Sequence, residues 1–286
     1  LDVKSLVYGR TTEISGLTGR LTMAPRRLAA EKIAGALGAD GQLLLETEVR
    51  FSPGEPQPYS SKFDLNVRDF EVGPLFKAIA PGRPPTIEGR FNVRSQASGT
   101  GRTLGELIEH TQGELALQSR KGIFRGLQQE AAAASLAARL LGSLGEKVEN
   151  FATRADVTAE IAGQLAQLPF DQLSVRLARD ESLNLKLTDF VLVSPNVRLQ
   201  GDGHITYDPA KSLLNQPMQL RLNMGVMGAV ENRIARAKLP VLSGERDDLG
   251  YMKLREPFVI GGTLSKPNAG QLYVMLTRSL LDMILP

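Results

Sequence analysis

The sequence predicts a mainly β protein built around a large, mostly antiparallel sheet. Three observations predict it. Short runs of alternating apolar and polar residues recur along nearly the whole chain, the pattern of strands with one face in water. Clusters of Gly, Pro and Asp-Gly separate those runs, as turns do. The strands also lack the continuous apolar runs and intervening helices of a parallel sheet covered on both faces.

Composition sets the limits. The 286 residues suffice for one large domain or two small ones. Apolar content of 42% against 23% charged describes a folded chain. With aromatics at 5% and no Trp, the apolar faces rest on Leu, Val, Ile and Ala. The net charge is +3, and basic residues stand singly or in pairs such as Arg26-Arg27, which argues against a nucleic-acid footprint. The absence of Cys excludes disulfides, Cys-zinc sites and thiol chemistry. No apolar run reaches the roughly 18 residues that span a membrane. The chain begins at Leu1, not Met, and reads as a fragment or processed piece.

In chain order, residues 1–24 hold two alternating segments, the second with Ile14, Leu17, Leu21 and Met23. Residues 28–37, LAAEKIAGAL, have helix-forming composition. The Asp40-Gly41 that follows favours strand, turn, strand. Residues 42–51 alternate most cleanly, Leu43, Leu45, Thr47, Val49 and Phe51 facing one way. A Pro-rich loop follows, then Phe63, Leu65 and Val67 on one face, and a helical turn near 74–79. Residues 86–126 read as a strand with Ile87, Phe91 and Val93 together, broken at Ser98-Gly99-Thr100-Gly101. A short helix with Leu104, Leu107 and Ile108 comes next, then a strand with Leu115 and Leu117, and a turn at Lys121-Gly122.

Residues 126–149 predict a long helix, with Leu127, Ala131, Ala134, Ala138 and Leu141 as its stripe. Residues 156–165 read as a strand, with Val157, Ala159, Ile161 and Leu165 on one face. Next, Leu173, Val175 and Leu177 oppose Ser174, Arg176 and Arg179, while Leu183, Leu185 and Leu187 oppose Asn184, Lys186 and Thr188. Val197 and Leu199 lead into Gly201-Asp202-Gly203, and Met218, Leu220, Leu222 and Met224 share a later face. A helix is predicted near 226–239, a charged loop at 243–250, a strand with Phe258 and Ile260, and a closing apolar helix over 269–285.

About a dozen one-sided strands result. Helices about 10 Å wide cannot cover so many strands spaced about 4.8 Å apart. The sheet therefore folds on itself as a sandwich or barrel, or curls into a trough that meets something else.

Catalytic chemistry has little to stand on. Gly99-Thr100-Gly101 with Gly105 matches neither a dinucleotide nor a Walker loop and reads as a connector. His110 and His204 are the only histidines, without metal-ligand spacing around them. No G-x-S-x-G elbow is present. Glu245-Arg246-Asp247-Asp248 reads as a solvated loop. The sequence thus points to a protein that is not an enzyme, with no catalytic residues, cofactor or metal.

Several segments resemble the AsmA-like C-terminal region of bacterial envelope proteins, within the repeating β-groove group of lipid-transfer proteins. They are Ile87-Glu88-Gly89-Arg90-Phe91, Ser98-Gly99-Thr100-Gly101, residues 104–107, Gly113-Glu114-Leu115 and Lys121-Gly122-Ile123. Further on they include residues 201–208, residues 216–225 and residues 257–267. The resemblance spans roughly residues 1–268. It implies a strongly curved, mostly antiparallel sheet forming an open hydrophobic groove with a few capping helices. The whole of 1–286 would be one such region, with helical insertions near 126–149 and 226–239 and a C-terminal helix at 269–285.

By the same resemblance the chain would bind and transport phospholipid or another acyl-chain lipid between inner and outer membrane. It would lie in the periplasm, anchored to the inner membrane through segments outside this sequence, with envelope proteins as possible partners. The alternative is a β-rich scaffold that assists outer-membrane protein assembly by offering sheet edges. The groove would be lined by Leu43, Leu45, Val49, Phe51, Phe63, Leu65, Val67, Ile87, Phe91, Val93, Leu115 and Leu117. Its later part would be Val157, Ile161, Val175, Leu177, Leu185, Leu187, Val197, Leu199, Leu220, Leu222, Phe258 and Ile260. Aliphatic side chains suit flexible acyl chains, which need apolar area and little directional bonding. The same positions also fit an ordinary sandwich core.

Overall fold

A computed structural model describes residues 1–8, 12–79, 82, 84–128 and 151–281. The chain forms one large, open, antiparallel sheet of 16 strands among the described residues. Its first part comprises β1 (Asp2–Tyr8), β2 (Thr12–Ala24), β3 (Arg27–Leu37), β4 (Gly41–Phe51), β5 (Tyr59–Glu71), β6 (Ile87–Gly101) and β7 (Gln112–Phe124). Then come β8 (Leu168–Phe170), β9 (Gln172–Arg179), β10 (Leu185–Val193), β11 (Val197–Ile205) and β12 (Met218–Val226). The last are β13 (Leu242–Arg246), β14 (Met252–Leu254), β15 (Phe258–Gly262) and β16 (Pro267–Asn268). The main order runs β1 through β7 in sequence, then β9, β10, β11, β12, β14 and β13. β8 pairs with β7, β15 with β12, and β16 with β15. The helices are α1 (Gly73–Ile79), α2 (Leu104–Glu109), α3 (Phe151–Ala166), α4 (Gly228–Arg236) and α5 (Gly270–Leu281).

Residues 28–37 form a strand, but not a regular one. Lys32 has φ 51° and the pairing with β4 shifts between Ala30 and Ile33. This bulge lets Leu28 and Ala30 before it share a face with Ile33 and Gly35 after it. Asp69, φ 52°, does the same in β5, between Val67 and Phe70.

Several sequence expectations are corrected. β6 does not break at Ser98-Gly99-Thr100-Gly101; it runs on to Gly101. The glycines there make room for α2, since a Cβ at Gly101 would lie 2.4 Å from the Leu107 nitrogen. β7 likewise runs through Lys121-Gly122, where Gly122 pairs with Phe170 of β8. Residues 156–165 are helix, not strand. Ala155, Thr158, Ala159, Ala162 and Leu165 of α3 are buried at three- and four-residue spacing, which two-residue alternation had imitated over a few positions. Leu183 sits at φ 65° in the turn before β10, where the Asp180 carboxylate accepts the Ser182 and Asn184 amides. The charged segment 243–250 is largely a hairpin of β13 and β14. The helix expected over 126–149 lies outside the described residues beyond Gln128.

The chain divides into two compact units. Unit 1 holds residues 1–120, 173–189 and 204–207; unit 2 holds residues 121–172, 190–203 and 208–286. Unit 1 is nearly all strand, with α1 and α2 as its helices. Unit 2 has a filled core. All but Leu173 of the largest fully buried side chains belong to it, among them Phe170, Phe258, Leu192, Leu199, Leu222 and Ile260. Helices α3, α4 and α5 contribute Ile161, Leu165, Ile234, Leu272 and Leu276 to the buried set. Buried phenols bond across it. Tyr273 donates to the Leu127 carbonyl at 2.8 Å, and Tyr251 to the Ser194 carbonyl at 2.7 Å. Arg198 holds the hairpin tip through Asp247 at 2.8 Å and Asp248 at 2.5 Å. Among the described residues no helix is long and apolar enough to cross a membrane.

Candidate functional site

The two faces of the unit 1 sheet differ in kind. Antiparallel register puts directly opposed residues on the same face. Leu43 opposes Val67, which opposes Val93; Leu45 opposes Leu65, which opposes Ser95. On the far side of β7, Leu115 opposes Leu177 and Leu117 opposes Val175. Gly113 joins the two groups, because a Cβ there would lie 2.7 Å from the Ala97 Cβ. The result is an apolar strip across β4, β5, β6, β7 and β9.

This strip is half-buried but only partly covered. Along β6 the positions on the strip side are half-buried or buried, while Arg90, Asn92, Arg94, Gln96, Ser98 and Thr100 on the other side are exposed. Helix contacts fall toward the two ends of β6. α1 follows Val72, whose amide bonds to the Gly89 carbonyl, and α2 packs on Gly99 and Gly101. Between them lie Val93, Ser95 and Ala97, which are half-buried. Toward β2 and β3 the same face opens further, with Met23 80% and Leu28 44% exposed. At the far end of the strands Phe51 packs on Tyr59, ring centres 4.9 Å apart.

The opposite face is a ladder of charge. The Glu48 carboxylate accepts from Arg27, which also bonds Glu31 at 3.1 Å, and pairs with Arg50 at 2.9 Å. The Arg50 and Arg27 guanidiniums hold Glu48 down to about 2. Glu46 stands directly opposite Asp64, whose carboxylate accepts from Gln96 at 2.8 Å. A trough of about 930 Å³ crosses these strands, with Glu46, Glu48, Lys62, Asp64, Gln96 and Glu114 along it. The trough therefore lies along the charged face, and Arg179 at the end of β9 lines it as well. Sequence reading missed it, because no single strand shows that polar side chains of six strands flank one channel.

The structure separates the expected lining residues into two sets. Leu43, Leu45, Val49, Phe51, Phe63, Leu65, Val67, Phe91, Val93, Leu115, Leu117, Val175 and Leu177 share the apolar face of unit 1 by register and alternation. Ile87 falls in step with Phe91 on β6. Leu185 and Leu187 lie on β10, half-buried and buried. Val197, Leu199, Leu222, Phe258 and Ile260 are fully or almost fully buried in unit 2, and Leu220 opposes Ile260 there. Val157 and Ile161 lie on α3, so they form no strand wall. Arg179, expected on the polar side, pairs with Gly113 at the end of β9 and lines the charged trough. His110 and His204 are exposed.

Compared with known proteins, the chain matches no family model, no curated protein and no solved structure.

Proposed function

We propose that this chain is a non-enzymatic module that binds phospholipid through its acyl chains and passes it along the bacterial envelope, between inner and outer membrane. The observation that carries the proposal is the strip of unit 1: uncharged apolar rows in register across five neighbouring strands, mostly half-buried, with α1 and α2 toward the ends of β6. Four interstrand spacings of about 4.8 Å make the strip roughly 19 Å long, a length suited to an extended acyl chain. Each methylene moved from water to such a surface contributes about 0.8 kcal/mol. The charged trough on the other face does not suit a hydrocarbon, so the lipid is assigned to the strip. Placement in the periplasm rests on the resemblance of residues 87–123, 201–225 and 257–267 to the AsmA-like region.

Lipid extraction and native mass spectrometry of the purified chain test this. Bound phospholipid is expected, and Leu45→Glu with Leu65→Glu should remove it while the fold persists. Absence of lipid from the wild-type chain, loaded and unloaded alike, would refute the proposal. A second reading, a scaffold that adds strands of outer-membrane proteins to its sheet edge, is supported by β1, which among the described residues pairs with β2 alone. The Leu45→Glu/Leu65→Glu variant separates the two, since edge pairing uses backbone groups of β1 and survives it.

A further inference from the structure

We infer that the β2–β3 hairpin is a membrane contact of this chain: it seats in the surface of an anionic bilayer and forms the mouth through which lipid reaches the strip. The role as mouth rests on the lipid binding proposed above. β2 and β3 pair without a shift from Arg20 and Glu31 to the turn at Pro25 and Arg26. In that register Met23 opposes Leu28 and Leu21 opposes Ala30, so all four share one face. Met23 is 80% exposed, Leu21 53% and Leu28 44%. Exposed apolar residues scattered singly are ordinary, whereas a contiguous group marks a contact surface. Leu28 also opposes Val49 of β4, so the patch is continuous with the strip. Beyond Val49, Phe51 packs on Tyr59, and the Phe51 amide donates to the Arg26 carbonyl at 2.9 Å.

The charges around the patch select the partner. From Ile14 to Ala30 the sequence has three arginines and no Asp or Glu. Arg27 is engaged by Glu48 and by Glu31 at 3.1 Å, and Arg50 meets Glu48 at 2.9 Å. Those bonds also occupy Glu31, which stands opposite Arg20. Arg20 and Arg26 are exposed, and neither meets a carboxylate among the described residues. Glu55 lies in the loop after Phe51, so these strand ends carry more positive than negative charge. Apolar side chains that enter the acyl boundary, beside arginines that reach lipid phosphates, are the arrangement of an element seated in a membrane surface. A second copy is served less well, because a two-fold contact through the same patch sets Arg20 and Arg26 near their own counterparts.

Flotation of the whole chain with vesicles tests this, using phosphatidylcholine alone and equimolar phosphatidylcholine with phosphatidylglycerol. Binding to the mixed vesicles is expected, and Met23→Asp with Leu28→Asp should weaken it about tenfold or more. Arg20→Gln with Arg26→Gln should remove the preference for mixed over neutral vesicles. The chain has no Cys, so an environment-sensitive dye on Met23→Cys reports insertion directly. Its emission should shift to the blue on mixed vesicles. A dye on Leu44→Cys should not shift, because Leu44, 46% exposed, opposes Asn66 on the other face. Absence of vesicle binding, binding that survives the two aspartates, or equal shifts at both dye sites overturns the inference. Self-association that the aspartates abolish, without vesicle binding, assigns the patch to a second copy and also overturns it. A wild-type chain that carries extracted phospholipid yet ignores vesicles refutes this contact alone. Hairpin-dependent vesicle binding by a chain that carries no lipid supports the contact and refutes the lipid-transport reading.

Discussion

Units 1 and 2 are built from the same kind of strand, yet they end differently. In unit 2, Leu199, Leu222 and Phe258 are completely buried, and three helices add side chains to the same core. In unit 1, Leu43, Leu45, Leu65, Val93 and Leu115 occupy equivalent alternating positions and stay half-exposed. One-sided alternation thus marks which residues leave the polar face; it does not say whether protein or something else meets them. The presence of covering helices decides that, and in unit 1 the two helices are short and sit toward the ends of β6.

The difference is measurable as stability. Phe258→Ala in unit 2 should destabilise by about 3–5 kcal/mol, the usual cost of emptying a filled aromatic site. Leu65→Ala in unit 1 should cost about 1 kcal/mol or less, because its side chain already borders open space. Chemical denaturation of the two variants checks this, and equal losses would mean that the strip is a closed core like unit 2.

A smaller effect should follow at the α2 end of the strip. Gly101→Ala places a methyl 2.4 Å from backbone nitrogen of Leu107, which cannot yield as a side-chain tip would. A loss of about 1–3 kcal/mol is expected, with faster amide exchange in α2 than in β4. Unchanged exchange in α2 would show that the helix does not depend on this close approach.

The smallest effect concerns the charged face. Glu48 titrates near 2 in the folded chain, against an ordinary 4.5. A depressed carboxylate stabilises the fold above its unfolded value and loses that contribution as pH falls through the folded one. Stability should therefore decline between about pH 4.5 and about 2, and Glu48→Gln should flatten that part of the profile. The group is only half-buried and its arginine partners are exposed, so salt should weaken the effect. A wild-type slope identical to that of the variant would remove Glu48 from the account.

Much of the sheet was legible in the sequence because solvent lies on one side of most strands. Residues 42–51 and 61–67 could be phased from alternation alone, and their pairing follows it. Other parts were hidden for identifiable reasons. Val157, Ala159 and Ile161 satisfy a two-residue period as well as a helical one. The glycines of β6 signalled a turn, while their cause is the helix packed on them. As for the site, the apolar rows of unit 1 were readable, but the burial of the unit 2 rows depends on helices whose docking no strand pattern encodes.

The bulge at Lys32 has a consequence for how this sheet can change. Ala30 pairs with Thr47 and Ile33 with Leu45, and on the other side Glu31 pairs with Arg20 and Ala34 with Thr18. Deleting Lys32 brings the flanking residues into unbroken register with both neighbours at once, and no apolar side chain leaves its face. What disappears is the local bend and added twist that a bulge supplies. Chain length at this point therefore acts as a one-residue adjustment of sheet geometry, independent of which atoms the strip presents.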